Sequence, residues 1–128
     1  MANEGPKGDL YIRTIAMPAD LNGQGDVFGG WLVSQMDLAG GAASRHRAKG
    51  RTVTVAIDAM TFHKAMHLGD QLSCYVVLTK VGRTSMTVRI EAWVRRGRGG
   101  DPIPVTEGVF TYVAVDNDRQ PRLVPPEP

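Results

Sequence analysis

Residues Gly29 to Ala48 read G-G-W-L-V-S-Q-M-D-L-A-G-G-A-A-S-R-H-R-A. From Gly29 to Ala43 the polar side chains are Ser34, Gln35 and Asp37 alone. A helix that is apolar on nearly every side belongs in an interior. Arg45, His46, Arg47 and Lys49 form a solvated last turn, where cations suit the negative end of the helix dipole. Gly50 is a natural stop. The stretch therefore predicts one long buried helix.

Working outward, Met17 to Gly30 is a loop rich in turn residues, and Leu10 to Ile15 is a short strand. Beyond the helix the pattern changes to alternation. Strands are predicted at Thr52–Met60, Asp70–Val81, Thr84–Arg95 and Val105–Val115, with a tight turn at Gly82-Arg83 and a Gly/Pro-rich loop from Gly97 to Pro104. This is an α+β layout in which an antiparallel sheet has one apolar helix to cover it. Residues 1–9 read as a flexible tail, 10–116 as the domain, and 117–128 as a Pro-rich, loosely packed tail.

The chain has 128 residues, enough for one small domain, and assembly into an oligomer would bury more of its surface. A net charge of +2 is too mild to argue for nucleic acid, but it suits a small polyanion. No apolar run is long enough to cross a bilayer. Cys74 is the only cysteine, which removes an intrachain disulfide and points to a reducing, cytoplasmic compartment.

Asp37 is the residue that needs explaining. An ionised carboxylate inside an apolar helix is costly unless it is paired or hydrogen-bonded. At ~100° per residue, its face holds Gly30, Val33, Ser34, Gly40, Gly41 and Ser44, nearly all small. Two helical glycines cost roughly 1 kcal/mol each relative to alanine. Either a substrate or another backbone comes close here, or the acid is structural, paired with a basic residue, and the glycines serve tight packing. The helix start adds a second feature. Its unpaired N–H groups at Gly29 and Gly30 suit a carbonyl under attack. Asn22 could add a side-chain amide, although ordinary turn chemistry explains it equally well. Gly29 and Asp37 lie eight residues apart, roughly 12 Å along one helix. One chain cannot easily bring both to the same reacting carbon. Two antiparallel helices from neighbouring subunits could.

Several segments together resemble the bacterial YciA-type acyl-CoA thioesterases. They are Ala16-Met17-Pro18-Ala19-Asp20 with Asn22, Gly25-Asp26-Val27-Phe28-Gly29-Gly30-Trp31-Leu32, Ser34-Gln35-Met36-Asp37, Val81-Gly82-Arg83-Thr84-Ser85 and Phe110-Thr111-Tyr112-Val113. The resemblance implies a hot-dog fold, with the sheet wrapped around the helix, and a homohexamer built as a trimer of dimers. It implies an acyl-CoA substrate and no cofactor. It places the catalytic acid on Asp37, the loop asparagine on Asn22 and the oxyanion amide on Gly29 or Gly30. Gly82, Arg83, Thr84 and Ser85 match a region that contacts coenzyme A, and Lys64 is a further candidate. Ala65 stands where the family carries proline after the lysine, which weakens the case for Lys64. His63 and His67 do not share a helix face, so a metal site is not expected.

Two other activities stand beside thioester hydrolysis. A hydroxyacyl-thioester dehydratase would use a histidine with an acid, and residues 22–37 contain no histidine. A non-catalytic acyl-CoA-binding regulator would carry an output domain, for which a chain of this length has no room.

Overall fold

The computed structural model describes residues 5–97 and 99–127, so the first four residues of the N-terminal tail, Arg98 and Pro128 lie outside the described residues. The elements in chain order are β1 (Asp9–Ile15), a short 3-10 turn (Pro18–Asp20), α1 (Gly29–Ala48), β2 (Thr52–Phe62), β3 (Gln71–Val81), β4 (Ser85–Arg95) and β5 (Ile103–Ala114). The five strands form one antiparallel sheet in the order β1-β3-β4-β5-β2.

Alternation in β4 and β5 sets the layers. Met86, Val88, Ile90, Ala92 and Val94 on β4, with Phe110, Tyr112 and Ala114 on β5, are buried beneath α1. From the helix, Leu32, Met36, Ala39, Gly40, Gly41, Ser44 and Ala48 point into this layer. Trp31, Val33 and Ala43 are partly buried against the same core, while Leu38 is half exposed. An apolar helix is thus incompletely covered within a single chain.

The helix ends through Lys49, which adopts the left-handed conformation with φ 56° and returns its N–H to Arg45 O. The cap is a lysine, and Gly50 follows it. The C-terminal segment is docked rather than loosely packed. The Arg122 guanidinium donates to Ala48 O at the helix end and to Val115 O, while Val124 N donates to Arg83 O. A segment with few apolar residues is held here by backbone carbonyls that would otherwise lack donors.

Candidate active site

Asp37 lies midway along α1, and its carboxylate turns toward the sheet. Its Oδ1 accepts hydrogen bonds from Tyr112 Oη at 2.8 Å and from Thr54 Oγ1 at 2.8 Å. These two donors are cross-strand partners on β5 and β2. Among the described residues Asp37 makes no ion pair, and its Oδ2 takes no hydrogen bond. The structural alternative required a cation paired with this acid. Arg45 folds over Gly41, close enough to act on the Tyr112 hydroxyl, but it makes no ion pair with Asp37, whose hydrogen-bond partners are two neutral hydroxyls on one oxygen.

Gly40 explains how Tyr112 reaches the helix. A Cβ at this position would overlap the Tyr112 hydroxyl and come within 2.7 Å of Ile90 Cδ1. This glycine therefore serves close packing, and the side chain it admits is the one that binds Asp37. Burial, and secondarily the hydrogen bond to the Asp37 carboxylate, push the Tyr112 phenol upward, so it remains a donor at neutral pH. Neither Tyr112 nor Thr54 was singled out by the sequence. The mid-helix glycine pair was the one signal that a bulky group approaches at that level.

Gly29 and Gly30 open the helix as expected. Phe28 provides no side-chain cap, and the N–H groups of both glycines are unpaired among the described residues. Both glycines are exposed. A cavity of about 290 Å³ lies against Gly29, lined by Val27, Leu32, Phe62, His63, Lys64 and Met66 among others. Asn22 is exposed in the preceding loop, where its Oδ1 accepts from Gln24 N at 2.8 Å and from Asp26 N at 3.1 Å. That is ordinary turn chemistry. It also fixes the side chain and leaves its amide NH2 without a partner among the described residues.

The loop holding Asn22 is tied to the segment after β2. Val27 N donates to Met66 O, and Asp26 Oδ1 lies 3.0 Å from His67 Nδ1. His63 instead faces Glu107, at 3.2 Å. The two histidines thus have separate acidic partners. Among the described residues no three His, Cys, Asp or Glu side chains come together as metal ligands.

The candidate coenzyme A residues divide into two places. Gly82, Arg83, Thr84 and Ser85 form the β3–β4 turn, where Gly82 N donates to Ser85 O and Arg83 is exposed. Ser85 pairs with Val113 near the end of β5. Lys64 N donates to Val105 O near its start. Val105 and Val113 are separated by roughly 27 Å of strand. One protomer therefore cannot place Lys64 and Arg83 on the same phosphate group. A larger cavity of about 460 Å³ borders Lys64, Arg89, Glu91, Trp93 and Glu107. It opens on the side of β4 away from the helix and does not reach Asp37.

The same division affects the reacting groups. Asp37 and Gly29 are eight helical residues apart, and no fold of α1 brings them together. A second chain can. β2 is an edge strand paired only with β5, so one row of its backbone groups is free. Ile57 pairs with Phe110 and so lies on the helix side of the sheet, yet it is 43% exposed. It follows Thr54 by three residues on this edge strand and is one of its uncovered apolar side chains.

The model of the thioesterase superfamily matches residues 24–100. The acyl-CoA thioester hydrolase YciA of Escherichia coli is 46% identical over 125 residues, covering 95% of this chain and 95% of that protein. A hexameric thioesterase from Yersinia pestis superimposes with a TM-score of 0.92 at 49% identity, covering 95% of this chain and 99% of the other. A hexameric hotdog fold thioesterase of Campylobacter jejuni gives a TM-score of 0.87 at 37% identity, covering 92% and 91%.

Proposed function

Because this chain belongs to the thioesterase superfamily, we propose that it hydrolyses acyl-CoA to a carboxylic acid and coenzyme A, at a site completed by a second copy of itself. The observation that carries this reading is Asp37, a carboxylate inside the helix that, among the described residues, is held by two hydroxyls, makes no ion pair and keeps one oxygen without a partner. The hexameric thioesterases that share its fold support a homohexamer.

In the proposed reaction the free N–H groups of Gly29 or Gly30 polarise the thioester carbonyl from the partner's helix start. The Asn22 amide orients the carbonyl or the water. Asp37 Oδ2 either takes a proton from water as its oxygen attacks the carbonyl carbon, or attacks that carbon itself to give a mixed anhydride that water then cleaves. In both routes the C–S bond breaks, and the coenzyme A thiolate leaves and is protonated. The acid and the backbone donors supply the required chemistry without a metal or redox cofactor. Cys74 is no nucleophile, since burial raises its thiol to about 12.

Arg83 and Ser85 present donors suited to the phosphates of coenzyme A, and Lys64 adds a cation at the other end of the sheet. Shared between protomers, the two ends serve one ligand. The lone buried thiol suits a reducing compartment, and we place the reaction in the cytoplasm. Among the described residues no helix is long and apolar enough to cross a membrane.

The test is release of free thiol from a panel of acyl-CoAs by the purified protein. Chain-length-dependent turnover that Asp37→Asn abolishes, with the oligomer intact, is expected. Binding of acyl-CoA without turnover would establish a carrier or sensor instead.

A further inference from the structure

We propose that Tyr112 is a positioning residue for the reaction: its hydroxyl clamps Asp37 Oδ1 and thereby assigns Oδ2 as the oxygen that meets water or substrate. The inference rests on the hydrolytic reading of Asp37 and adds to it which oxygen reacts and what orients it.

Three observations converge. The first is geometric. Tyr112 Oη is 2.8 Å from Asp37 Oδ1 and 3.1 Å from the backbone O of the same residue, while Oδ2 has no partner among the described residues. A hydroxyl donates one proton, and the shorter contact to a charged acceptor is the stronger claim on it. The second is packing. Tyr112 is fully buried on β5 beside Phe110, with ring centroids 6.4 Å apart, so its ring cannot swing away. The third is the cost accepted at residue 40, where glycine in a helix interior leaves room for this hydroxyl. A tyrosine kept only for its ring would need no such notch at its oxygen.

Thr54 donates to the same Oδ1 from an exposed edge strand. Its hydroxyl sits on a short side chain at the rim, whereas the Tyr112 hydroxyl reaches Asp37 from inside the core. The carboxylate is thus gripped on one oxygen from two sides, and its plane is fixed. Preorganising a reacting group in this way lowers the barrier without tightening substrate binding, because the substrate touches Oδ2 and not the phenol.

The experiment is the variant Tyr112→Phe, which removes the oxygen and keeps the ring. The expected result is a kcat lower by about 10- to 100-fold, with KM changed less than about twofold. Oligomer size and melting temperature should be retained. Introduced into Asp37→Asn, the same change should leave the residual rate unaltered, since the group it acts through is already gone. Wild-type kcat in Tyr112→Phe would overturn the proposal, and so would an equal fractional loss in the Asp37→Asn background. If Asp37→Asn is itself fully active, the hydrolytic role of Asp37 fails. If Asp37→Asn is dead and Tyr112→Phe is not, only the positioning role fails. Should the phenylalanine variant not assemble, Gly40→Ala provides the second reading. It leaves the hydroxyl on the chain but fills its seat, and kcat must fall at constant KM. An unchanged kcat there overturns the proposal.

Discussion

Thr54 Oγ1 donates a 2.8 Å hydrogen bond to Asp37 Oδ1, which fastens the helix acid to β2, an edge strand paired only with β5. Anything that docks against β2 therefore also acts on the carboxylate. Thr54→Val keeps the shape and removes this donor. It should lower kcat about tenfold, by analogy with the loss of one charge-assisted hydrogen bond. Steady-state kinetics on a soluble acyl-CoA checks this, and an unaltered kcat would show that Asp37 is oriented without the edge strand.

Ile57 lies on the edge strand β2, three residues after Thr54, and is exposed in the single chain. If a second protomer covers it, Ile57→Lys places a charge in a contact between copies. The oligomer should shift to smaller species on a sizing column, and activity should fall in the same fractions. Full activity in a monomer-sized peak would refute a site shared between chains.

Arg83 is exposed in the β3–β4 turn and its side chain has no partner among the described residues. If it holds a phosphate of coenzyme A, it binds a part of the substrate remote from the thioester. Arg83→Ala should then raise KM several-fold more than it lowers kcat. An unchanged KM would make it a solvated turn residue.

Cys74 keeps its proton in the folded chain up to about 12, against an ordinary 9.0, because burial disfavours the thiolate. In the unfolded chain the thiol ionises from about pH 9, so the unfolded state binds fewer protons above that pH. The stability this group contributes is fully present below pH 9 and is lost as pH rises from about 9 toward about 12. Chemical denaturation across that range should show a steeper loss for the native chain than for Cys74→Ala. At pH 8 a thiol alkylator should leave both mass and activity of the folded protein unchanged.

The helix could be read from sequence almost to the residue, because Gly29 and Gly50 bracket an unbroken apolar run and the cations gather at one end. The strands were legible for a similar reason, since alternation such as Met86, Val88 and Ile90 against Thr87, Arg89 and Glu91 is local information. Asp37 stood out because a lone acid in that run conflicts with its surroundings. What holds it was not legible. Tyr112 reads as one more strand aromatic until β5 is placed under α1, and Thr54 reads as a β-branched strand residue until β2 becomes an edge. The irregularities of β2 were equally hidden. Its register shifts twice against β5, and Ala59 takes a positive φ of 50° with no glycine to announce it. The docked C-terminus escaped notice because Arg122 finds its acceptors 74 and 7 residues back along the chain. Pairings set by topology leave little trace in local composition.

The central claim is that one protomer's Asp37 works with the other's helix start, and subunit complementation tests it most directly. One chain carries Asp37→Asn. The other carries Gly29→Pro or Gly30→Pro, whichever is inactive, since proline at a helix start deletes an N–H without breaking the helix. In a mixed pair one site holds both defects and the other holds none. Random co-assembly of the two inactive chains should restore about a quarter of wild-type thiol release. Mixtures no more active than either parent, in verified hetero-oligomers, would contradict the account.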